Sequence, residues 1–517
     1  MDPWSSTQRL ALLEAVAKRA IAYLTAAGGG AIPVSRPLAP EALARRFEQT
    51  LALSLADAPG ASLEDVLDAL DEVIECSVHT AHPRFFNQNF AGPDPIAVAG
   101  DWLATALNTT AATYEMAPVF TLMERALLDR LARLAGWDAA PTTTDDAAAP
   151  PPRGLMLPGG STSNLLAIQL ARHRACPEIN REGDRPNRWA LFTSQAAHYS
   201  IGKSARLMGL GDASVFTVAC DNADRMDPRE LERAFQRAED AGRRPLFVNA
   251  TAGTTVRAAF DPLDDIAQVC SARGVWMHVD GCFGASALFA SRAAHLMRGV
   301  ERADSLAWNL HKVMGMTQQC AALLIRNPSQ LRPCFASSAT YLFQPDKPHG
   351  ALDAGDLGFQ CARRVDVLKA WLTWKAVGDQ GMARRVEHAL DCCAHLADTL
   401  RTRGSNAGWQ LLDPTSFVSV CFRWIPPSLR HVAPSCWSPA QRAELHRLQV
   451  AIRNDMAARG LGMLAAQPVA DGINCLRLLV MNPAVQLDDL HAILTAIEVT
   501  GTRLAGATSA SASTPEA

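Results

Sequence analysis

The stretch SLAWNLHKVMGM, residues 305–316, sets a lysine directly behind an apolar run that reads as a buried strand. A surface lysine needs no strand behind it, no histidine beside it and no small apolar turn ahead. A lysine that forms an imine with a carbonyl does, because partial burial disfavours the ammonium form and frees the amine as a nucleophile. Whether Lys312 is such a residue depends on what surrounds this stretch.

Working outward, the apolar runs WALFT, SVFTV, PLFVNA, VWMHVD, SLAWN and AALLI lie between about residues 154 and 330. They alternate with amphipathic segments such as DPRELERAFQRAEDAG and PLDDIAQVCSARG. Such alternation predicts a mostly parallel sheet covered by helices on both faces, with ligands at the carboxyl ends of its strands. Asp280 closes one of these runs. Alone it reads equally as a turn or cap aspartate, or as a carboxylate that keeps a heterocyclic nitrogen protonated.

Three further pieces share this ambiguity. Gly159-Gly160, followed by Ser161, Thr162 and Ser163, opens a helical pattern and suits either a capped turn or a phosphate held at a helix N-terminus. His198 stands between a strand-like and a helix-like run, as a structural histidine or as a ring stacked on a flat cofactor. The segment PLFVNATAGTTV breaks at Thr251 into small and hydroxyl residues, a tight loop or a place where a bulky ligand approaches.

The bulk of the chain excludes several classes. Its 517 residues predict two or three domains, and 48% hydrophobic with 20% charged residues is ordinary for a globular protein. A net charge of −3 offers no electrostatic case for nucleic acid or anionic membrane. Thirteen cysteines without a CxxC pair read as reduced thiols rather than a disulfide framework or a metal cluster. The N-terminus lacks a signal-peptide pattern, and Leu10, Leu13, Ala17 and Ile21 space an amphipathic helix. No apolar run reaches membrane-spanning length, so a cytoplasmic location is expected.

Residues 1–115 read as helices, one of them capped by Ser62 and Asp65. A Pro- and Thr-rich loop covers 138–154 within a large domain of 116–390. A smaller α/β domain follows at 391–505, and 506–517 reads as a disordered tail.

In chain order these pieces run glycine-rich loop, histidine, hydroxyl-rich turn, aspartate after a strand, and lysine after a later strand. With the strings HPRFFNQ, TYEMAPVFTLME, HYSIGK, VNATAGTTV, FDPL, HVD, WNLHKVMG, YLFQPDK and RLLVMNPA, the chain resembles the group II pyridoxal-phosphate decarboxylases over about residues 76–500. The animal glutamate and cysteine-sulfinate decarboxylases are the members it is most similar to. The resemblance implies an α/β, fold-type I, aspartate-aminotransferase-like homodimer with its active site at the subunit interface. It implies that Lys312 carries pyridoxal 5'-phosphate, Asp280 pairs with its ring nitrogen, and His198 stacks on the ring. Gly160, Ser161 and Thr162 would line the phosphate, and Thr251, Cys282 and His311 would also face the cofactor. SSATYLFQPDK matches a mobile lid in which Tyr341 returns a proton to the substrate carbon. Arg477, with Gln88 beside it, would hold a substrate carboxylate.

Departures from the family pattern bear on the substrate. Phe90 and Thr110 stand where glutamate decarboxylases use Ser and Asn; Cys282 and Phe283 replace Ala and Trp; Leu310 replaces a proline. Ala111 and Ala112 replace larger residues nearby. The expected reaction is decarboxylation of an L-amino acid to its amine, with glutamate a poor substrate. Cysteine sulfinate, aspartate, methionine and S-methylmethionine remain candidates. A sulfonium could be cradled by Phe90 and Phe283, unless both are packing residues. Competing readings are a transaminase, a decarboxylation-dependent oxidative deaminase, or an inactive binding homologue; Tyr341 in the lid argues for plain decarboxylation.

Overall fold

Continuous apolar runs build the central sheet of this computed structural model, which describes residues 4–50, 60–137, 151–337, 339–344 and 346–511. Strands β1 (Gly154–Leu157), β2 (Trp189–Ser194), β3 (Val215–Val218), β4 (Arg244–Thr251), β5 (Trp276–Asp280), β6 (Ser305–Asn309) and β7 (Ala321–Ile325) form one sheet in the order β1-β7-β6-β5-β4-β2-β3. All six runs read from the sequence are strands. Five neighbours, β3 through β6, are parallel, as expected of strands buried on both faces.

The alternation of runs did not disclose the other edge. There β7 runs antiparallel to β6, and β1 antiparallel to β7. Two reversals restore direction, so the carboxyl end of β1 lies on the same sheet edge as those of β5 and β6. Register then fixes neighbours: Thr251 pairs with Asp280, and Asp280 with Ala307. Leu155, Leu157, Leu166, Ile168, Trp189 and Phe247 belong to the core that packs this sheet against the helix Gly160–Ala175.

The chain divides into two compact units. One, residues 93–393 and 413–419, contains the seven-stranded sheet. The other joins residues 1–92 to 394–412 and 420–517. In it the N-terminal segment is tied to the C-terminal part by a backbone bridge, Phe86 N–H donating to Met463 O at 2.7 Å. Its sheet has the strands β8 (Trp409–Leu411), β9 (Ser419–Trp424), β10 (Ala465–Pro468) and β11 (Asn474–Leu479), ordered β10-β11-β9-β8.

The helix Leu63–Cys76 starts with the capping box read from Ser62 and Asp65: each side chain accepts the other's backbone N–H at 3.1 Å. The helix Ser6–Gly28 forms as its spacing predicts, yet Leu10, Leu13 and Ile21 are exposed in the single chain. Residues 138–150 of the Pro- and Thr-rich stretch lie outside the described residues. The last helix, Leu487–Ser511, continues into the stretch read as a tail, and 512–517 lie outside the described residues. Among the described residues, no helix is long and apolar enough to cross a membrane.

Candidate active site

The carboxyl edge of the large sheet collects the polar groups that the strand interiors exclude. Asp280 ends β5, is 5% exposed, and accepts hydrogen bonds from Asn164 Nδ2 at 2.9 Å and Cys282 N–H at 3.2 Å. Burial alone would raise this carboxyl. The Lys312 charge and the Asn164 amide outweigh it and hold the group below the ordinary carboxylate value.

Asn164 was not among the residues singled out from the sequence, nor were His278 and Ser305. Their signals were present but indirect. Asn164 follows Gly160 by four residues, one helical turn. His278 precedes Asp280 by two, which puts both on one face of a strand, and register places Ser305 opposite His278. These residues are joined by hydrogen bonds of 2.8–3.0 Å.

Glycine at 160 follows from close approach. A Cβ there would stand 2.2 Å from Cys282 Sγ and 3.4 Å from Asn309 Oδ1. No side chain caps this helix N-terminus, which leaves backbone N–H groups near Gly160 and Ser161 for an anion. Ser161 is exposed; the Thr162 N–H donates back to Gly159 O at 3.1 Å. Asn309 Oδ1 is buried without a hydrogen-bond partner among the described residues. Cys282, bulkier than the expected alanine, is buried against Gly160, and burial pushes its thiol well above the ordinary value, so it stays protonated.

Lys312 lies three residues beyond β6 and is half-buried. His311 beside it is buried, its Nδ1 against the Cys320 backbone, and burial pushes it down to about 4. His198 is half-buried, with Nδ1 accepting from Ser200 N–H at 3.3 Å. Its pKa is lowered by burial; Asp280 opposes this, whereas Lys312 and Lys203 reinforce it. Thr251 is buried at the end of β4, its N–H donating to Asp261 at 2.7 Å. The large unit therefore gathers Gly160, Cys282, Asp280 and the Asn164 chain by direct contact, with the charges of Asp280 and Lys312 acting on His198.

Tyr341 stands apart. It is 85% exposed, on a segment whose ends are anchored: Ser337 N–H donates to Asp356 at 3.0 Å, and Lys347 pairs with Glu115 at 2.6 Å.

Two side chains expected near the substrate have other employment. Thr110 Oγ1 donates to Cys361 O at 3.2 Å and accepts from Arg363 N–H at 3.1 Å. Phe283 is buried edge-on against Phe417, with ring centroids 5.8 Å apart. It packs in an aromatic cluster, as the packing reading of this ring expects.

In the other unit, Arg477 on β11 is 4% exposed. Nη2 donates to Asn87 O at 2.8 Å and Nη1 reaches Asn89 Oδ1 at 3.5 Å. With its amide oxygen turned toward the guanidinium, Gln467 accepts from Nε at 3.2 Å. Gln88 is exposed, and half-buried Phe90 packs on Phe85 at 5.9 Å between centroids.

A buried anionic carboxylate at a strand end, an uncapped glycine-led helix and a half-buried lysine fit the ring nitrogen, phosphate and carbonyl of pyridoxal phosphate. Comparison with known proteins agrees. The pyridoxal-dependent decarboxylase conserved domain matches residues 46–425. Cysteine sulfinic acid decarboxylase of Mus musculus is 43% identical over 458 residues, covering 88% of this chain and 89% of that protein. Acidic amino acid decarboxylase GADL1 of Bos taurus is 40% identical over 467 residues, 89% of this chain and 85% of that protein. The crystal structure of mouse CSAD superposes with a TM-score of 0.88 at 40% identity, covering 97% of this chain and 100% of that one. An Oryza sativa TDC structure with PLP and tryptamine, at 23% identity and a TM-score of 0.84, shares the fold. The chain belongs to the pyridoxal-dependent decarboxylase family and is a pyridoxal-phosphate-dependent carboxy-lyase of an amino acid.

Proposed function

We propose that the substrate is a short acidic L-amino acid, cysteine sulfinate or aspartate, and that glutamate is turned over poorly. The observation that carries this reading is the Thr110 hydroxyl, engaged by Cys361 O and Arg363 N–H and so withheld from the distal carboxylate of a longer side chain. Phe90, packed on Phe85, offers that carboxylate no hydrogen bond either. The names of the relatives, a cysteine sulfinic acid decarboxylase and an acidic amino acid decarboxylase, point the same way. Buried Phe283 removes the main support for a sulfonium substrate.

The roles in this reading are those that the family resemblance implies. Lys312 Nζ is the amine that would hold the cofactor. Bound pyridoxal phosphate supplies the electron sink into which the carbon–carboxylate bond breaks. Asp280, kept anionic, would face the ring nitrogen and favour its protonated form, and His198 would lie against the ring. The uncapped helix N-terminus at Gly160, with Ser161 and Thr162, receives the phosphate, and Thr251, Cys282 and His311 complete the surround. Arg477, next to Gln88, is assigned to a substrate carboxylate, where a guanidinium orients by paired hydrogen bonds. Tyr341 Oη returns a proton to the substrate carbon, and the lid that carries it excludes water.

The active unit in this reading is a homodimer. Leu10, Leu13 and Ile21 in one unit, and Trp102, Leu103, Leu107, Met116, Val119 and Leu122 in the other, are large apolar side chains left uncovered in one chain, as an interface requires. The absence of disulfides among the described cysteines suits a reducing cytoplasm.

A substrate panel on cofactor-loaded protein, with amines read by mass spectrometry, tests the assignment. Cysteine sulfinate or aspartate should exceed glutamate in kcat/KM by at least about tenfold. Glutamate as the best substrate, or amine only from methionine or S-methylmethionine, would overturn it.

A further inference from the structure

Four buried groups lie in a row behind the Asp280 carboxylate, and their chemistry leaves one direction for the protons between them. Trp276 Nε1 can only donate, and it donates to Ser305 Oγ at 2.8 Å. At the other end, ionised Asp280 can only accept, so the atom of Asn164 facing it at 2.9 Å is Nδ2. Asn164 Oδ1 is then the acceptor facing His278 Nε2 at 3.0 Å, and that nitrogen carries the imidazole proton. A neutral ring so arranged must accept at Nδ1, where Ser305 Oγ lies at 2.8 Å. The hydroxyl therefore receives from Trp276 and gives to His278. The second Asn164 Nδ2 hydrogen is taken by Ser200 Oγ at 2.8 Å, so the amide has no freedom to turn over.

We infer that Asn164, His278 and Ser305 are positioning residues: a one-way hydrogen-bond chain, anchored on Trp276, that orients the Asp280 carboxylate and keeps it anionic without adding a net charge. This rests on the role given above to Asp280. Buried donors arranged in series polarise one another, so each strengthens the last bond to the carboxylate. An arginine or lysine in place of the chain would hold the carboxylate too, but would compete electrostatically with the ring-nitrogen proton. The ring stays neutral, because burial pushes His278 down to about 4. Strand alternation puts Trp276, His278 and Asp280 on one face of β5, and register supplies Ser305 from β6, so the geometry is built into the sheet.

The test uses full-length holoenzyme at one fixed pH, with kcat per bound cofactor, KM, the absorbance maximum of the bound cofactor and the thermal midpoint as readouts. Asn164→Leu should lower kcat about 10- to 100-fold, the range for residues that orient a functional group through one intermediary. His278→Phe should lower it less, and Ser305→Ala by only a few-fold, with KM nearly constant throughout. The absorbance maximum should shift in the same order, because it reports ring-nitrogen protonation. Ser305→Thr, which restores the hydroxyl, should recover part of what Ser305→Ala loses. Ser305→Ala keeps the test decisive if the larger changes prevent folding. Variants that lose only thermal stability or cofactor content, with kcat per bound cofactor and absorbance unchanged, would overturn the inference. Asp280→Asn separates the two readings. If it is crippled while Asn164→Leu is not, only the chain is refuted; if it matches wild type, the assignment of Asp280 falls and the chain with it.

Discussion

The end of β5 and the segment bearing Tyr341 belong to one compact unit and are built in opposite ways. Asp280 is 5% exposed and receives an amide and a backbone N–H; Tyr341 is 85% exposed on a stretch held at its ends. The contrast matches two electrostatic tasks. A charge that must be in place before the reaction is best held by preorganised dipoles, which need no rearrangement later. In the function proposed above, the Tyr341 proton is delivered only after carbon dioxide has left, a task suited to a group carried on a lid.

The comparison can be broken most sharply at the fixed end. Lys312→Ala should reduce decarboxylation by at least about 10³-fold in a single-turnover amine assay, since the imine-forming amine is lost. A residual rate within tenfold of wild type would remove the lysine from the site. At the exposed end, Tyr341→Phe should lower kcat by about 10²-fold, within the usual range for one general acid. Because the side chain is exposed, the thermal midpoint should stay within about a degree. A large loss of stability would mean that the ring packs rather than delivers a proton.

Part of the acid sensitivity should belong to the fixed region, the rest to groups such as His82 of the other unit, also pushed down to about 4 by burial. His278 and His311 are held neutral by burial, pushed down to about 4 from an ordinary 6.5. Between those values the unfolded chain binds more protons than the folded one, so their contribution is full above about pH 6.5 and declines as pH falls toward 4. Calorimetry at pH 7.5 and pH 5 should show a lower midpoint at pH 5, and a smaller drop in His278→Phe. An equal drop in that variant would place the acid sensitivity elsewhere.

The smallest effect is expected at Thr110, whose hydroxyl ties the backbone at Cys361 and Arg363. Thr110→Val should reduce unfolding free energy by about 1 kcal/mol, the usual value of a lost hydrogen bond, measured in urea. The KM for cysteine sulfinate should change less than twofold. A tenfold rise would make the hydroxyl a substrate contact and reopen the question of glutamate.

Much of this was legible in the chain. Apolar runs with no polar alternation located β2 to β7, because strands buried on both faces cannot alternate. Asp280 and Lys312 could be placed at strand ends, because a polar residue directly after such a run has few other places to go. The Ser62–Asp65 cap was readable for a similar reason: its hydrogen bonds span three residues. Matching strings supplied the family.

What the tertiary structure decided was partnership across distance. The reversal of β7 and the joining of residues 1–92 to the C-terminal part depend on which surfaces meet. So does the exposure of Leu10, Leu13 and Ile21 in a single chain, although their helical spacing was plain. For Phe283 the sequence left pocket and packing readings both open, and the structure sets its ring in an aromatic cluster; the Thr110 hydroxyl it sets on backbone. Asn164, His278 and Ser305 carry only the indirect signals of helical turn and strand alternation, which do not say which of them meet. A hydrogen bond is set by distances of about 3 Å and by direction. Residues 27 to 116 positions apart reach that distance only when helix packing and strand register have brought them there.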